Sequence, residues 1–315
     1  MAERDFIRSL YRQASGGRGP LRLGIGDDCA ILRPPKGIEI VVTTDFSLEN
    51  KHFRRDWHPP QSAGHRCLAR GLSDLAAMGA KPLAAFLSIA VPKGLEKAYL
   101  NGFLRGFMAL AKAHSVPLAG GDTAAAPGDE LLADITLLGT IPQGKALLRS
   151  GAKAGDGIYV TGRLGAAAAE LEQLAANATH FKAAKPSEIH PHLFPQPRLA
   201  VGQALLKRKL ATAAIDISDG LSVDLLHLCE ESKLDAEIET ATLPLGATLM
   251  QALHGGEDYE LLFTASRPVP KKLAGVPITR IGTMLPRAGR SPRMSLLDEK
   301  GKRNLLKPQG WEHQL

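Results

Sequence analysis

Cysteine is scarce: Cys29, Cys67 and Cys229 are the only three in 315 residues, far apart and without a CxxC pair. An odd, scattered set supports neither a disulfide framework nor a zinc knuckle, and points to a reducing compartment. Aromatic residues make up only 5%. That argues against a nucleic-acid-binding module, which needs stacking platforms beside clustered Lys and Arg. Charge of one sign is not strongly in excess, since 39 Lys and Arg against 32 Asp and Glu leave +7. Such a balance hints at anionic partners and no more. Long apolar runs are missing too. The most apolar stretch, residues 83–92, is about half of what a helix needs to cross a bilayer, and Lys93 follows it at once. The opening MAERDFIRSLYR alternates charged and apolar residues and lacks the layout of a secretory signal. The expectation is a soluble, cytoplasmic protein that binds neither membrane nor nucleic acid. GxxxxGK[ST] is absent, which disfavours a P-loop enzyme, and so are HRD and DFG.

The length favours two domains in tandem, and 44% hydrophobic with 23% charged residues is enough for a sizeable core. Apolar, β-branched runs ending in Gly or Asp recur as LRLGIGDD, IEIVVTTD, LLADITLLG, GIYVTG, AAIDISDG and ELLFTAS, and read as strands. Helical spacing is found over 62–77, 95–114, 166–176 and 221–232. The fold class expected is α/β, mixed α+β, in two domains. The small, charged RSGAKAGD at 149–156 places the boundary between 1–148 and 149–315. Residues 177–197, with four prolines and three histidines, read as a long surface excursion of the second half.

Acidic residues recur where these apolar runs stop: Asp27 and Asp28 after LRLGIG, Asp45 after IEIVVTT, Asp122 after VPLAGG, and Asp216 and Asp219 in DISDG. Asp74, in LSDLAAMGA, sits near the end of a helical stretch. Each one alone reads as a turn former or helix cap. Together, beside glycines and hydroxyls in GIGDD, TTD, GGDT and DISDG, they suit convergence on one site at strand ends. Carboxylates at close range raise one another's pKa unless cations intervene, and hard divalent ions such as Mg²⁺, shared with polyphosphate oxygens, fit an oxygen-only set.

Two glycine-bearing turns are weak candidates for a phosphate cradle. Gly24 and Gly26 precede two aspartates that would repel a pyrophosphate, and 162–165 reads equally as a plain strand-to-helix turn. His190 and His192 form HxH in the excursion without an obvious third ligand and read as solvated. His52 lies seven residues after Asp45, close enough to face the same cleft.

Taken in order, GIGDDCAIL at 24–32, TTDFSLENKHF at 43–53, LSDLAAMGAKP at 72–82, GGDT at 120–123, RSGAKAGDGIYVTGRLG at 149–165, IDISDGLSVDL at 215–225 and GGEDYELLFT at 255–264 resemble the motifs of the thiamine-monophosphate kinase family. The resemblance spans nearly the whole chain, with LSDLAAMGA and GGEDYELLFT its most specific parts. It implies the two-domain fold of aminoimidazole ribonucleotide synthetase-like proteins, with an N-terminal domain (1–148) that binds ATP and Mg²⁺ and pairs in a homodimer. The C-terminal α/β domain (149–315) is then expected to complete the active site. The implied activity is ATP-dependent phosphorylation of thiamine monophosphate to thiamine diphosphate by direct in-line transfer.

Position by position, Asp28, Thr43, Thr44, Asp45, Asp74, Asp122, Asp216 and Asp219 match the family's Mg²⁺ positions, with Asp45, Asp74, Asp122 and Asp216 expected to carry the chemistry. Gly121, Asp122, Arg149 and Ser218 match ATP positions, and His52, Glu257 and Trp311 match thiamine-phosphate positions. On the residues alone Arg149 reads as a linker cation. The chain departs from the family at Gly71, where Asn is common, at 124–126 after GGDT, where a hydroxyl and a positive charge are lost, and at Ala166, where Asp is frequent. The related selenophosphate synthetases need a reactive Cys or selenocysteine near the N-terminus, and the first 28 residues here contain none.

Overall fold

The computed structural model describes residues 20–23 and 31–310. They form two compact units, the first from the residues up to 75 with 81–144 and 173–194, the second from 76–80, 145–172 and the residues from 195 onward. Both are mixed α+β, as the alternation of strand-like and helical patterns implies.

The first unit is built on a four-stranded sheet in the order β3-β6-β4-β5, formed by β3 (Ile38–Leu48), β4 (Lys81–Val91), β5 (Leu118–Ala125) and β6 (Leu132–Pro142). A short hairpin of β1 (Leu21–Leu23) and β2 (Ile31–Leu32) stands apart from that ladder, and Leu21 packs with Leu83, Ala84 and Ala119. Only β4 and β5 run parallel; β3 and β4 each pair antiparallel with β6. Strand β4 is the apolar stretch that stood out for its hydropathy, and its residues Leu83, Ala84, Ala85, Leu87 and Ile89 are buried. None of the described helices is long and apolar enough to cross a membrane.

Helices α1 (Pro60–Ala77) and α2 (Lys97–Ala113) pack with backbone nearly touching backbone. A Cβ on Gly64 would overlap the Phe103 carbonyl, one on Gly106 would overlap the Gln61 carbonyl, and one on Gly102 would come 2.7 Å from the Pro60 ring. Glycine normally weakens a helix interior, so its use here is explained by the close crossing. Almost all of α1 is buried, including Ser62, His65, Arg66 and Ser73. Buried polar groups require partners, and the end of the 177–197 segment supplies them. Ser62 Oγ donates to the Leu193 carbonyl at 2.8 Å, and Arg66 donates to the His192 carbonyl at 2.5 Å. Arg66 lies 3.2 Å from Nδ1 of His192, whose Nε2 lies 3.0 Å from Nε2 of His58. A guanidinium can only donate, so Nδ1 of His192 is the accepting atom toward Arg66. The reading of 177–197 as surface holds for most of 177–190 and fails at the end of the segment, where His192, Leu193 and Phe194 are buried against α1 and Phe194 meets His65 edge-on. Spacing revealed no periodicity there because the segment forms only one 3-10 turn, Ala178–Phe181, before its end covers α1.

The second unit contains a sheet in the order β14-β13-β9-β12-β7-β10-β8, with β11 (Lys272–Leu273) beside β12. Its strands are β7 (Gly157–Thr161), β8 (Ala213–Ile217), β9 (Leu234–Glu239), β10 (Glu260–Ala265), β12 (Val276–Pro286), β13 (Met294–Leu297) and β14 (Arg303–Leu305). Pairing is antiparallel except between β13 and β9. The helices are α3 (Ala166–Ala176), α4 (Leu199–Arg208), α5 (Leu221–Ser232) and α6 (Leu249–His254). Ile158 and Val160 of β7, Ile215 and Ile217 of β8, Leu262 of β10, Ile281 of β12, and Leu225 and Leu228 of α5 share one core. Cys67 on α1 and Cys229 on α5 are buried free thiols, each pushed up to about 12 chiefly by burial.

The α1–α2 crossing gives a test in which two effects oppose each other. An alanine in mid-helix gains about 1 kcal/mol of helix propensity over glycine, yet overpacking against a carbonyl costs about 1–3 kcal/mol or more. Gly106→Ala is expected to lower the urea midpoint, whereas an unchanged or raised midpoint would mean that the helices do not approach this closely.

Candidate active site

Asp45 and Asp122 were expected where strands end, but each lies within one. Strand β3 continues three residues beyond Asp45, and β5 carries Gly121 and Asp122 along its length. Strand alternation then sorts the TTD motif. Thr43 and Asp45 face α1, where Thr43 Oγ1 donates to Oδ2 of Asp74 and the Asp45 carboxylate lies 3.7 Å from Arg70. Thr44 lies between them on the other face, in the exposed series Val42, Thr44 and Phe46. Gly71 lets α1 sit low on the sheet, since a Cβ there would come 2.7 Å from Leu137, 2.9 Å from Ile135 and 3.3 Å from the Thr43 methyl. Asp74, one turn further on, thereby reaches Thr43. Asparagine at this position would need those side chains to give way.

Asp45 has one oxygen, Oδ2, buried with no hydrogen-bond partner. Its carboxyl is pushed up to about 7, first by burial and next by the neighbouring Asp74, with Arg70 opposing and Asp134 adding a smaller push. Asp134 was not singled out from LLADITLLG. In register it stands between Phe46 on β3 and Ser88 on β4, and Ser88 in turn pairs with Asp122 on β5. Phe46, Asp134, Ser88 and Asp122 therefore form one row across the open face of the sheet. Asp122 is exposed, with its own Oδ1 accepting the Thr123 amide at 2.8 Å. Gly121 has φ of 152°, and a Cβ there would overlap the Leu87 carbonyl. Near the end of β3, the Leu48 amide donates to Nδ1 of His52 at 3.0 Å, which leaves the ring proton on Nε2 in the neutral form.

The second unit gathers Asp216, Ser218, Asp219 and Glu257. Strand β8 ends with Asp216 and Ile217, and the chain turns through Ser218, Asp219 and Gly220, with φ of 112° at Gly220, into α5. Alongside, the Glu257 amide donates to the Ser218 carbonyl at 2.7 Å and the Tyr259 amide to that of Ile217 at 2.9 Å. The β8–β10 ladder, in which Glu260 pairs with Ile217, is thus carried on into GGEDY. Glu257 and Tyr259 both have left-handed backbones, with φ of 65° and 49°. Such a conformation is unfavourable for a non-glycine residue and persists only where the surroundings impose it. Here they do. Asp258 accepts the amides of Gly165 at 2.7 Å and Ala167 at 3.2 Å, and Glu260 accepts a two-pronged ion pair from Arg198 at 2.5 and 2.6 Å. Arg149 is placed differently. Its carbonyl accepts from Ser232 Oγ at 2.9 Å, while the neighbouring Leu148 carbonyl accepts the Ala214 amide of β8.

The 162–165 turn is structural. Its amides at Gly162, Leu164 and Gly165 are taken by Pro277, Pro244 and Asp258, which leaves no cradle for a phosphate. Asp28 and Trp311 lie outside the described residues. Gly310, just before Trp311, packs against the Asp219 carbonyl and Val223. No group of three or more His, Cys, Asp or Glu among the described residues is close enough to hold a metal ion. Within the first unit the oxygen-only pair Asp45 and Asp74, with an unpartnered buried Oδ2, nonetheless fits a hard divalent cation such as Mg²⁺.

Two domain descriptions match the chain: AIR synthase related protein, N-terminal domain, over residues 26–141, and its C-terminal domain over 153–269. Thiamine-monophosphate kinase of Escherichia coli strain K12 is 40% identical over 300 residues, covering 90% of each chain. The chain belongs to the thiamine-monophosphate kinase family. Among solved structures, the thiamine-monophosphate kinase of Stenotrophomonas maltophilia K279a is similar with a TM-score of 0.75 and 34% identity, covering 92% of this chain and 94% of its own. AaThiL complexed with AMPPCP and TMP is similar with a TM-score of 0.74 and 29% identity, covering 89% of each chain.

Burial is the main cause of Asp258's displaced pKa of about 7, against an ordinary value near 3.8. The folded state then holds a proton that the unfolded chain releases earlier. The stability this contributes is complete below the unfolded value and is lost as pH rises through about 7. Asp258→Asn removes the titration. Melting curves from pH 4 to 8 should show the variant losing less stability than the wild type over that interval; parallel curves would contradict the assignment.

Proposed function

We propose that the chain is a thiamine-phosphate kinase, which transfers the γ-phosphate of ATP to the phosphate of thiamine monophosphate and yields thiamine diphosphate and ADP. The observation that carries this reading is the 40% identity with the Escherichia coli thiamine-monophosphate kinase over nine-tenths of both chains. The relative solved with AMPPCP and TMP supports ATP and thiamine monophosphate as the substrate pair.

Phosphoryl transfer asks a protein chiefly for alignment and charge stabilisation. In the first unit we assign Asp28, Thr43, Thr44, Asp45, Asp74 and Asp122 to holding Mg²⁺, and in the second Asp216 and Asp219. Bound there, Mg²⁺ would supply the positive charge that offsets repulsion between two phosphate-bearing substrates. Thr43 fixes one oxygen of Asp74 by its hydrogen bond, and Arg70 steadies Asp45. Gly121, Asp122, Arg149 and Ser218 are assigned to ATP. The close approach of Gly121 to the Leu87 carbonyl brings bare backbone to the neighbourhood of Asp122. His52, Glu257 and Trp311 are assigned to thiamine monophosphate, with the Glu257 carboxylate directed at the cationic ring system. The accepting phosphate is already ionised at neutral pH, so in-line attack needs no general base and no phosphoenzyme.

The same reading includes a homodimer formed through the first unit. Its support is the open face of the four-stranded sheet, where Val42 is 60% and Phe46 62% exposed on an edge strand. Large apolar side chains on such a face suit a partner surface. A cytoplasmic location goes with the reading and accords with the free thiols Cys67 and Cys229.

Three measurements test these assignments. Purified protein should convert thiamine monophosphate and ATP to equal amounts of thiamine diphosphate and ADP, with essentially no phosphorylation of free thiamine, whose neutral hydroxyl lacks charge and alignment. Efficient turnover of thiamine, or label from ATP appearing on the protein at a competent rate, would contradict direct transfer. Asp45→Asn should lower turnover by roughly 100-fold or more with the fold intact, and added Mg²⁺ should restore only part of it. Near-normal activity would make Asp45 a structural residue. In sedimentation, Phe46→Glu should shift the protein from twice its 33.6 kDa chain mass toward a single chain; a wild type that sediments as one chain would remove the dimer.

A further inference from the structure

The turn that carries Ser218 and Asp219 is wound around a single atom. Oδ2 of Asp224 accepts the backbone amides of Ser218, Asp219 and Gly220 at 3.1, 3.2 and 3.1 Å. Three successive amides pointing inward make a concavity of the kind that binds anions, and here the protein's own carboxylate fills it. Asp224 lies in the first turn of α5 and is buried, with its amide donating to the Gly220 carbonyl at 3.0 Å. Gly220, the residue before the helix, has no side chain with which to cap α5, so Asp224 reaches back and serves the turn in its place. Other contacts hold the turn from outside: Glu257 bonds the Ser218 carbonyl, Gly256 abuts that same carbonyl, and Gly310 abuts the Asp219 carbonyl. Those carbonyl contacts constrain one edge of the turn. The Asp224 carboxylate gathers its amides.

We propose that Asp224 is a positioning residue: by drawing three amides onto one oxygen, it fixes the DISDG turn so that Ser218 and Asp219 are presented to the nucleotide and its divalent ion. This rests on the assignment of Ser218 to ATP and of Asp216 and Asp219 to Mg²⁺. Asp224 itself touches neither. Its accepting oxygen is turned inward to the backbone, so another acceptor of the same shape should preserve part of its effect, and removal of the acceptor should not. Asparagine keeps one carbonyl oxygen at that place, though a weaker acceptor than a carboxylate, while alanine leaves three amides without a partner.

The test uses the full-length protein, with calorimetric titration of AMPPCP in the presence of Mg²⁺ alongside steady-state kinetics. Asp224→Asn is expected to weaken AMPPCP binding by about 3–10-fold and to raise the apparent KM for ATP by a similar factor, with the KM for thiamine monophosphate changed less than about 2-fold. Asp224→Ala should exceed it in the same direction, by about 30-fold or more in nucleotide affinity. If the alanine variant does not fold, the asparagine variant decides by the split between the two substrates, which a general loss of structure would not produce. Nucleotide affinity within 2-fold of wild type in folded Asp224→Asn, or equal effects on both substrates, overturns the proposal. Failure of the kinase reading is separately visible: a wild type that binds AMPPCP without phosphorylating thiamine monophosphate leaves Asp224 measurable by calorimetry, whereas a wild type that does not bind AMPPCP removes both.

Discussion

A carboxylate withdrawn from water must find donors or a cation, and in this chain four of them settle the matter in different ways. Asp224 and Asp258 take backbone amides, Glu260 takes the Arg198 guanidinium, and Asp45 keeps a buried oxygen without a partner. The first three find their partners within the protein and shape loops. The last has an oxygen with none, and among the carboxylates proposed for the site that is the feature that sets it apart. The energetic background is the penalty on burying a charge, which either displaces its pKa or recruits a partner. Asp224, pushed up to about 8, and Asp258, pushed up to about 7, show that amides alone do not fully offset burial.

Much of the fold was legible. Helices over Ala166–Ala176 and Leu221–Ser232 coincide with the spacing that announced them, because both carry apolar residues at helical intervals against one core. Strands were recognisable from β-branched runs but not their lengths, since ladder pairing with β6 carries β3 past Asp45 where side-chain pattern alone marks a stop. Placing carboxylates at strand ends borrowed a rule for parallel sheets, whereas both sheets are mainly antiparallel, and Asp45 and Asp122 stand within their strands.

The site was legible where motifs were dense and obscure where a role depends on contacts across the fold. LSDLAAMGA contains Asp74, and the structure joins it to Thr43 by a hydrogen bond. Asp224 and Asp258 stood inside quoted motifs without attracting notice. A carboxylate four residues into a helix, or between two left-handed residues, is silent in sequence, because its partners are backbone amides that every residue possesses. Asp134 was hidden in an apolar strand, and only the register with Phe46 and Ser88 reveals the row it belongs to. His192 was misread because a histidine beside prolines looks solvated until His58 and Arg66 close over it.

The two buried thiols have a practical consequence. Cys67 belongs to the first compact unit and Cys229 to the second, and neither is accessible in the folded state. With Cys29 replaced by serine, a thiol reagent in solution can react only when one unit or the other opens. Following the two adducts separately by mass would time the opening of each half of the chain without any introduced label, and would reveal whether the halves come apart in one cooperative event or in succession.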